Sequence, residues 1–359
     1  MSSEIFHLFP FASRTVGTIS CFQVFSISEH VDDFTGRANS LLTNGYRVLY
    51  RNSVLGESDP VVNGVKTGMR KPGAFRRYGY LGLLIIVTSE VMMFLKVEPF
   101  YTLHTPICWS GLILLVDALI FKLKGESFIA SRTREFLLLL PISIGLWCLF
   151  EFYNLFLHNW HYVGLPESKT YRYFGYAWSF ATIWPAILQI AELVESFGLY
   201  RRVRVSPIKP SRRGLSILMV VGFTFLLIPI VFPTRYWAIL VWTGFVLFLD
   251  PINYLAGGSS LLRDLQRGDP RRFLNFLTSG FICGIFWEFW NYWAGAKWVY
   301  TVPILGNIKI FEMPVIGYLG FLPFALECLV MYSTVTLVLR HFLKLDWYLM
   351  RERASAGDI

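Results

Sequence analysis

Trp109-Ser-Gly-Leu-Ile-Leu-Leu-Val-Asp117 returns, at an offset of 133 residues, as Trp242-Thr-Gly-Phe-Val-Leu-Phe-Leu-Asp250. Each copy carries an indole at one end and an acid at the other. Each acid is followed at the same distance by a glycine and a serine, Gly125 and Ser127 after the first, Gly258 and Ser260 after the second. Working outward, Phe150-Glu151-Phe152-Tyr153-Asn154 parallels Trp287-Glu288-Phe289-Trp290-Asn291, Trp160 and Tyr162 parallel Trp298 and Tyr300, and Pro185 through Gln189 parallels Pro323 through Glu327. The offset drifts only from 133 to 138, the amount short loops absorb. Two tandem units of one design are therefore expected.

The units are apolar. Runs at 78–96, 106–121, 135–157, 173–198, 214–233, 236–256, 272–295 and 314–340 approach or exceed the roughly 20 residues that cross a hydrocarbon core. Only 16% of the chain is charged, against about 25% in an ordinary soluble domain, and 12 Trp and 18 Tyr supply rings suited to the headgroup level. The fold expected is all-α integral membrane, eight transmembrane helices in two four-helix repeats. Because each unit holds an even number of spans, both insert the same way, giving parallel repeats about an axis along the membrane normal.

Basic residues orient the chain. Assigning alternate connections to opposite sides puts 22 Lys and Arg on one side, in clusters such as Arg201, Arg202, Arg204, Lys209, Arg212 and Arg213, against Lys96, Lys169, Arg172, Arg235, Lys297 and Lys309 on the other. Cytoplasmic loops retain such residues, so both termini are expected inside, in the cytoplasmic membrane of a prokaryote. The net charge of +9 is spent on these clusters and on contact with anionic lipid; no nucleic acid is expected as a partner, and oligomeric state is left open. Residues 1–68, mixed and free of any spanning run, read as a disordered extension. The first repeat then runs over 69–200, a basic linker over 201–213, the second repeat over 214–345 and a tail over 346–359.

Ionisable residues inside spans are costly and mark functional interiors. Glu151 and Asn154 are three residues apart and share a helix face, as do Glu288 and Asn291. Gln189, Glu192 and Glu327 are expected at middle depth opposite them, completing a pseudo-symmetric polar cluster in which Gln189 of the first unit has become an acid, Glu327, in the second. Trp160, Tyr162, Trp298 and Tyr300 are read as an interfacial aromatic belt that also lids the cluster. Asp117 and Asp250, at helix ends whose dipole disfavours an anion, need partners, and Lys122, Lys124 and Arg263 are near in sequence. They and the following Gly and Ser make a candidate headgroup contact. Glu90 lacks a counterpart and is a weaker candidate.

Five cysteines without a CxxC spacing, and His158 and His161 without further ligands, predict neither disulfide framework nor metal, and no cofactor motif is present. The expectation is an intramembrane enzyme on a lipid or isoprenoid, an isomerase or cyclase, with Glu151, Asn154, Glu288, Asn291 and Glu327 as acid-base groups and the aromatics stabilising positive charge. A small proton- or cation-coupled transporter and a non-catalytic assembly protein are the alternatives. Membrane lipids and a lipophilic small molecule are the partners implied.

Overall fold

The computed structural model describes residues 72–343; the expected extension at 1–68 and the tail at 346–359 lie outside the described residues. Eight helices in it are long and apolar enough to cross a membrane. They are α1 (Arg77–Phe94), α2 (His104–Lys124), α4 (Thr133–Leu157), α5 (Lys169–Ser196), α6 (Arg212–Val231), α7 (Ala238–Leu255), α9 (Arg271–Trp293) and α10 (Phe321–Leu343). Two short helices, α3 (Phe128–Ser131) and α8 (Leu261–Gln266), follow α2 and α7, while β1 (Trp160–Val163) and β2 (Lys297–Tyr300) follow α4 and α9. A small ladder, β3 (Lys309–Ile310) with β4 (Met313–Pro314), and a 3-10 turn at Val315–Gly320 lead into α10. The chain is a multi-pass helical membrane protein.

The run read at 106–121 is longer than its hydropathy suggests. It begins at His104 and ends at Lys124, 21 residues or about 30 Å, closed by Gly125 at φ 72°, a left-handed conformation that costs glycine nothing. Conversely the run from 314 holds β4 and the 3-10 turn before α10 starts, so its first residues are not α-helical. Serines set several helix starts: the Ser168, Ser211, Ser127 and Ser260 hydroxyls each accept a backbone N–H of the first turn of α5, α6, α3 and α8.

The recurring Trp-Ser/Thr-Gly stretch explains how the hairpins pack. α1 lies on α2 where Gly82 meets Gly111: a Cβ on Gly82 would stand 2.4 Å from the Gly111 carbonyl oxygen. α6 lies on α7 at Gly222 and Gly244, where a Cβ on Gly222 would stand 2.8 Å from the Gly244 carbonyl oxygen. In lipid, where burying apolar surface drives nothing, such backbone approach is a principal source of helix association. α1 and α6 turn their other faces outward, with Leu84 and Phe223 more than half exposed. The buried core gathers on α2, α4, α5, α9 and α10, with Trp184, Phe150, Tyr332, Ile187 and Leu188 fully enclosed. α5 runs on through Pro185, and beside it the Ser143 hydroxyl inserts into the helix ladder, donating to the Phe180 carbonyl (2.5 Å) and accepting from the Trp184 N–H (3.1 Å).

Candidate functional site

The strands after α4 and α9 pair with each other, antiparallel, with Trp160 opposite Tyr300 and Tyr162 opposite Trp298. An asparagine fastens each strand to the helix before it. Asn154 accepts the N–H groups of Asn159 (2.9 Å) and Trp160 (3.2 Å) and donates to the Trp160 carbonyl (2.9 Å). Asn291 accepts the Trp298 N–H (2.9 Å) and donates to the Trp298 carbonyl (2.8 Å). With its strand held this way, each helix receives aromatic donors onto its acid. The Tyr162 hydroxyl donates to Glu151 Oε1 at 2.5 Å and the Tyr300 hydroxyl to Glu288 Oε1 at 2.8 Å.

Under this ladder lies a cavity of about 530 Å³. Aromatic rings form a large part of its wall, among them Trp109, Trp147, Trp160, Tyr162, Phe180, Trp242, Trp287, Trp298, Tyr300 and Phe324. Phe150, just behind, stacks on Trp242 at 5.3 Å between centroids, and Trp147 leans on Trp287 at 5.5 Å. Such a pocket suits an apolar or polyunsaturated chain, and its π faces favour a cation. Arg172, Arg235 and Lys297 are the cationic residues among the lining. Arg172 donates to the Pro166 carbonyl and Lys297 pairs with Glu312 at 2.5 Å.

The residues singled out in the sequence fall into three places. Glu151, Asn154, Trp160 and Tyr162 come together with Glu288, Asn291, Trp298 and Tyr300 at the β1–β2 end. There the tyrosines and tryptophans line the cavity, while the carboxylates and amides stand behind them. A polar cluster was expected; the acids instead meet the cavity through the aromatic donors that line it, Tyr300 for Glu288, and Trp147, Trp160 and Tyr162 for Glu151. Burial, then the charge of the adjoining glutamate, pushes the Tyr162 and Tyr300 hydroxyls well above their ordinary pKa, so both remain proton donors. The aromatic residues are thus inward-facing parts of the site as well as ring surface.

Gln189 and Glu192 are elsewhere. They lie in the last turns of the 28-residue α5, at the opposite end of the bundle from the strands. Glu192 binds Lys124 (3.0 Å) and Arg132 (2.7 Å), and Gln189 donates to Asp117 (3.2 Å). Both residues thus belong to a polar group at the far ends of the helices, apart from the strand-end glutamates. Asp117 also accepts from the Tyr78 hydroxyl (2.6 Å), the Ser127 hydroxyl (2.7 Å) and the Ile129 N–H (2.9 Å). Asp250 accepts from the Ser260 hydroxyl and the N–H groups of Leu261 and Leu262. Both acids therefore anchor the short helix that follows them, and Lys124 and Arg263, two of the residues expected as partners, bond other groups.

Glu327 is the third place. It is fully enclosed in α10, outside the cavity lining, with neither oxygen in bonding geometry with a partner. A second group was not foreseen: Glu90 on α1 with His104 and Cys108 on α2, whose ligand-type atoms all lie within 4.8 Å of one another. The i, i+4 spacing of His104 and Cys108 was a visible signal for it, but Glu90 lies across the α1–α2 turn. No protein-family model, curated protein or solved structure matches the chain.

Proposed function

We propose that the chain is an intramembrane enzyme that shifts protons on a lipid or isoprenoid, held in the aromatic cavity. The observation that carries this reading is the Glu288–Tyr300 pair: a phenol on the cavity wall backed by a buried carboxyl whose other oxygen, Oε2, has no partner. In the acid role the hydrogen bond runs in reverse. The carboxyl hands its proton to the phenol oxygen as the phenol hands its own to a substrate double bond, so the tyrosine ends neutral and the carboxyl ends as carboxylate. The cation formed faces indole and phenyl rings. Loss of a proton from a neighbouring carbon back to the same relay restores the carboxyl and yields an isomer; where a second double bond of the substrate first attacks the cation, forming a C–C bond, the same proton loss yields a ring. Nothing but a proton is exchanged.

The two-unit reading supports this chemistry by supplying two relays. It rests on the matched sequences, and is supported by the same contacts recurring at matched positions: glycine against glycine, Asp on the serine that starts a short helix, Asn on strand, Glu on tyrosine. Parallel insertion with cytoplasmic termini in a prokaryotic inner membrane puts the cavity towards the external leaflet. Cysteine placed at Ser168 should then react with an impermeant maleimide in intact cells, and at Ser211 only after permeabilisation. The reverse pattern removes that topology.

The enzyme is tested by comparing lipid extracts from cells carrying the wild-type chain and Glu288→Gln, with membrane levels of the two proteins matched. A lipid or isoprenoid product made only by the wild type supports the proposal. Identical extracts, with both proteins inserted and equally stable, sink it.

A further inference from the structure

Glu90 is an acid in a spanning helix, and among the described residues no lysine or arginine bonds it. Its partners are the Trp290 indole, which donates to Oε1 at 2.9 Å, and His104, whose Nε2 stands 3.8 Å from Oε2. His104 is fully buried, and its other nitrogen, Nδ1, is 3.0 Å from the Ser89 hydroxyl. Cys108, one turn on and also fully buried, puts its sulfur beside the ring, 3.6 Å from Nδ1 and 3.8 Å from Nε2. Ser89 and Trp290 therefore occupy one atom each of the imidazole and the carboxylate. The two atoms left over, Nε2 and Oε2, face each other beside a thiol.

We propose that Glu90, His104 and Cys108 bind a divalent transition metal of borderline softness, zinc by preference. Mixed N, O and S donors suit that class, and tetrahedral sites with bonds of about 2.0–2.3 Å have donor atoms about 3.3–3.6 Å apart. The two separations through Nε2, 3.8 Å each, lie a few tenths of an ångström outside that range, while the thiol and the carboxylate, within 4.8 Å, are brought together by side-chain rotation on binding. The flanking bonds are of the kind that orient metal ligands: a hydroxyl on the distal imidazole nitrogen and an indole on the distal carboxylate oxygen. Charge supplies the third argument. A dication with one thiolate, one carboxylate and a neutral imidazole is neutral overall, which is what an apolar span tolerates, whereas the carboxylate alone is costly there. Glu90 remains partly exposed and offers the route in.

The site ties α1 to α2 and, through Trp290, to α9. Trp290 meets Trp109 edge to face at 5.1 Å, and Trp109 lines the cavity, so an indole layer separates the metal from the cavity. Its role is structural and independent of the chemistry proposed above.

The test is titration of the full chain, purified in detergent without metal, with cobalt(II) and then zinc. One equivalent of cobalt should give a near-ultraviolet thiolate-to-cobalt band, zinc should bleach it, and zinc should raise the thermal midpoint. Cys108→Ser should lose the band. Glu90→Gln, a change of one polar group at a partly exposed position, should weaken cobalt at least about 10-fold even if Cys108→Ser fails to fold, and Trp290→Phe should weaken it by about 10-fold through the freed carboxylate. A folded wild type with no thiolate band, a band that survives in Cys108→Ser, or cobalt affinity unchanged in Glu90→Gln overturns the assignment.

Discussion

Glu151 and Glu288 hold matched places in the chain, yet Oε1 of the first is saturated with donors and Oε1 of the second is not. Glu151 Oε1 receives the Trp147 indole (3.0 Å), the Trp160 indole (3.1 Å) and the Tyr162 hydroxyl (2.5 Å). Glu288 Oε1 receives Tyr300 alone, and the Trp298 indole turns to the Tyr300 hydroxyl at 2.8 Å. One residue accounts for part of this. Where the first helix has Trp147, the second has Gly284, and the space a side chain would take there is filled by Phe321, 2.6 Å from where a Cβ would stand. A carboxylate oxygen held by three donors is fixed in place, whereas a carboxylate held by one, its other oxygen buried and unpartnered, is freer to take up a proton or a partner. Under the proposed chemistry, that difference separates a framework acid from a working one at matched positions.

The largest expected effect is on stability at the saturated acid. Glu151→Leu strands three buried donors, at roughly 1–3 kcal/mol for each, while Glu288→Leu strands one. Thermal unfolding in detergent should show a markedly greater drop for Glu151→Leu; equal drops would dissolve the distinction. Next comes activity, where the order inverts. Glu288→Gln should cut product formation by about 100-fold or more, the usual worth of a general acid, and Glu151→Gln by less. Greater loss at Glu151 would exchange their roles.

Gly280→Ala sharpens the reason for the difference. Its Cβ would stand 2.2 Å from the Phe321 carbonyl oxygen, so α9 and α10 must part, at about 1–3 kcal/mol, and the wall formed by Phe321 and Trp287 should loosen. In the first half the matching helices are held by a bond instead, so Ser143→Ala should cost about 1 kcal/mol, read as a small fall in the thermal midpoint. If the alanine at 280 is the milder change, close approach is not what holds the second pair.

Much of the fold was legible because its causes are periodic or compositional. Long apolar runs reveal spans, and the paired glycines at 111 and 244 sit inside the most visible repeated stretch. Asp117 and Asp250 were legible as positions in need of partners. Their partners were not, because a buried Asp can be satisfied by backbone N–H groups that every residue carries, and sequence does not mark those. The cavity was hidden for a related reason: Trp147, Trp242 and Phe324 are ordinary apolar residues until three helices turn them to one point. The separation of Gln189 and Glu192 from the strands was missed because hydropathy does not show which neighbouring helix ends meet them: Lys124 and Arg132 claim Glu192, and Asp117 claims Gln189. Glu90, His104 and Cys108 belong to two helices whose turn hides their spacing.

The β1–β2 ladder also carries a consequence in time. Trp160 and Tyr300 are separated by most of the second half of the chain, whereas α1 with α2, and α6 with α7, associate between near neighbours. Contacts closing so long a loop form late, after local pairs exist to bring the ends together. During synthesis, then, the first helices meet long before there is a ceiling for the ring-lined chamber to close under. A chain halted after α5 should hold its first hairpin and have no chamber at all, although every donor to the acid at 151 lies within eleven residues of it and is already made.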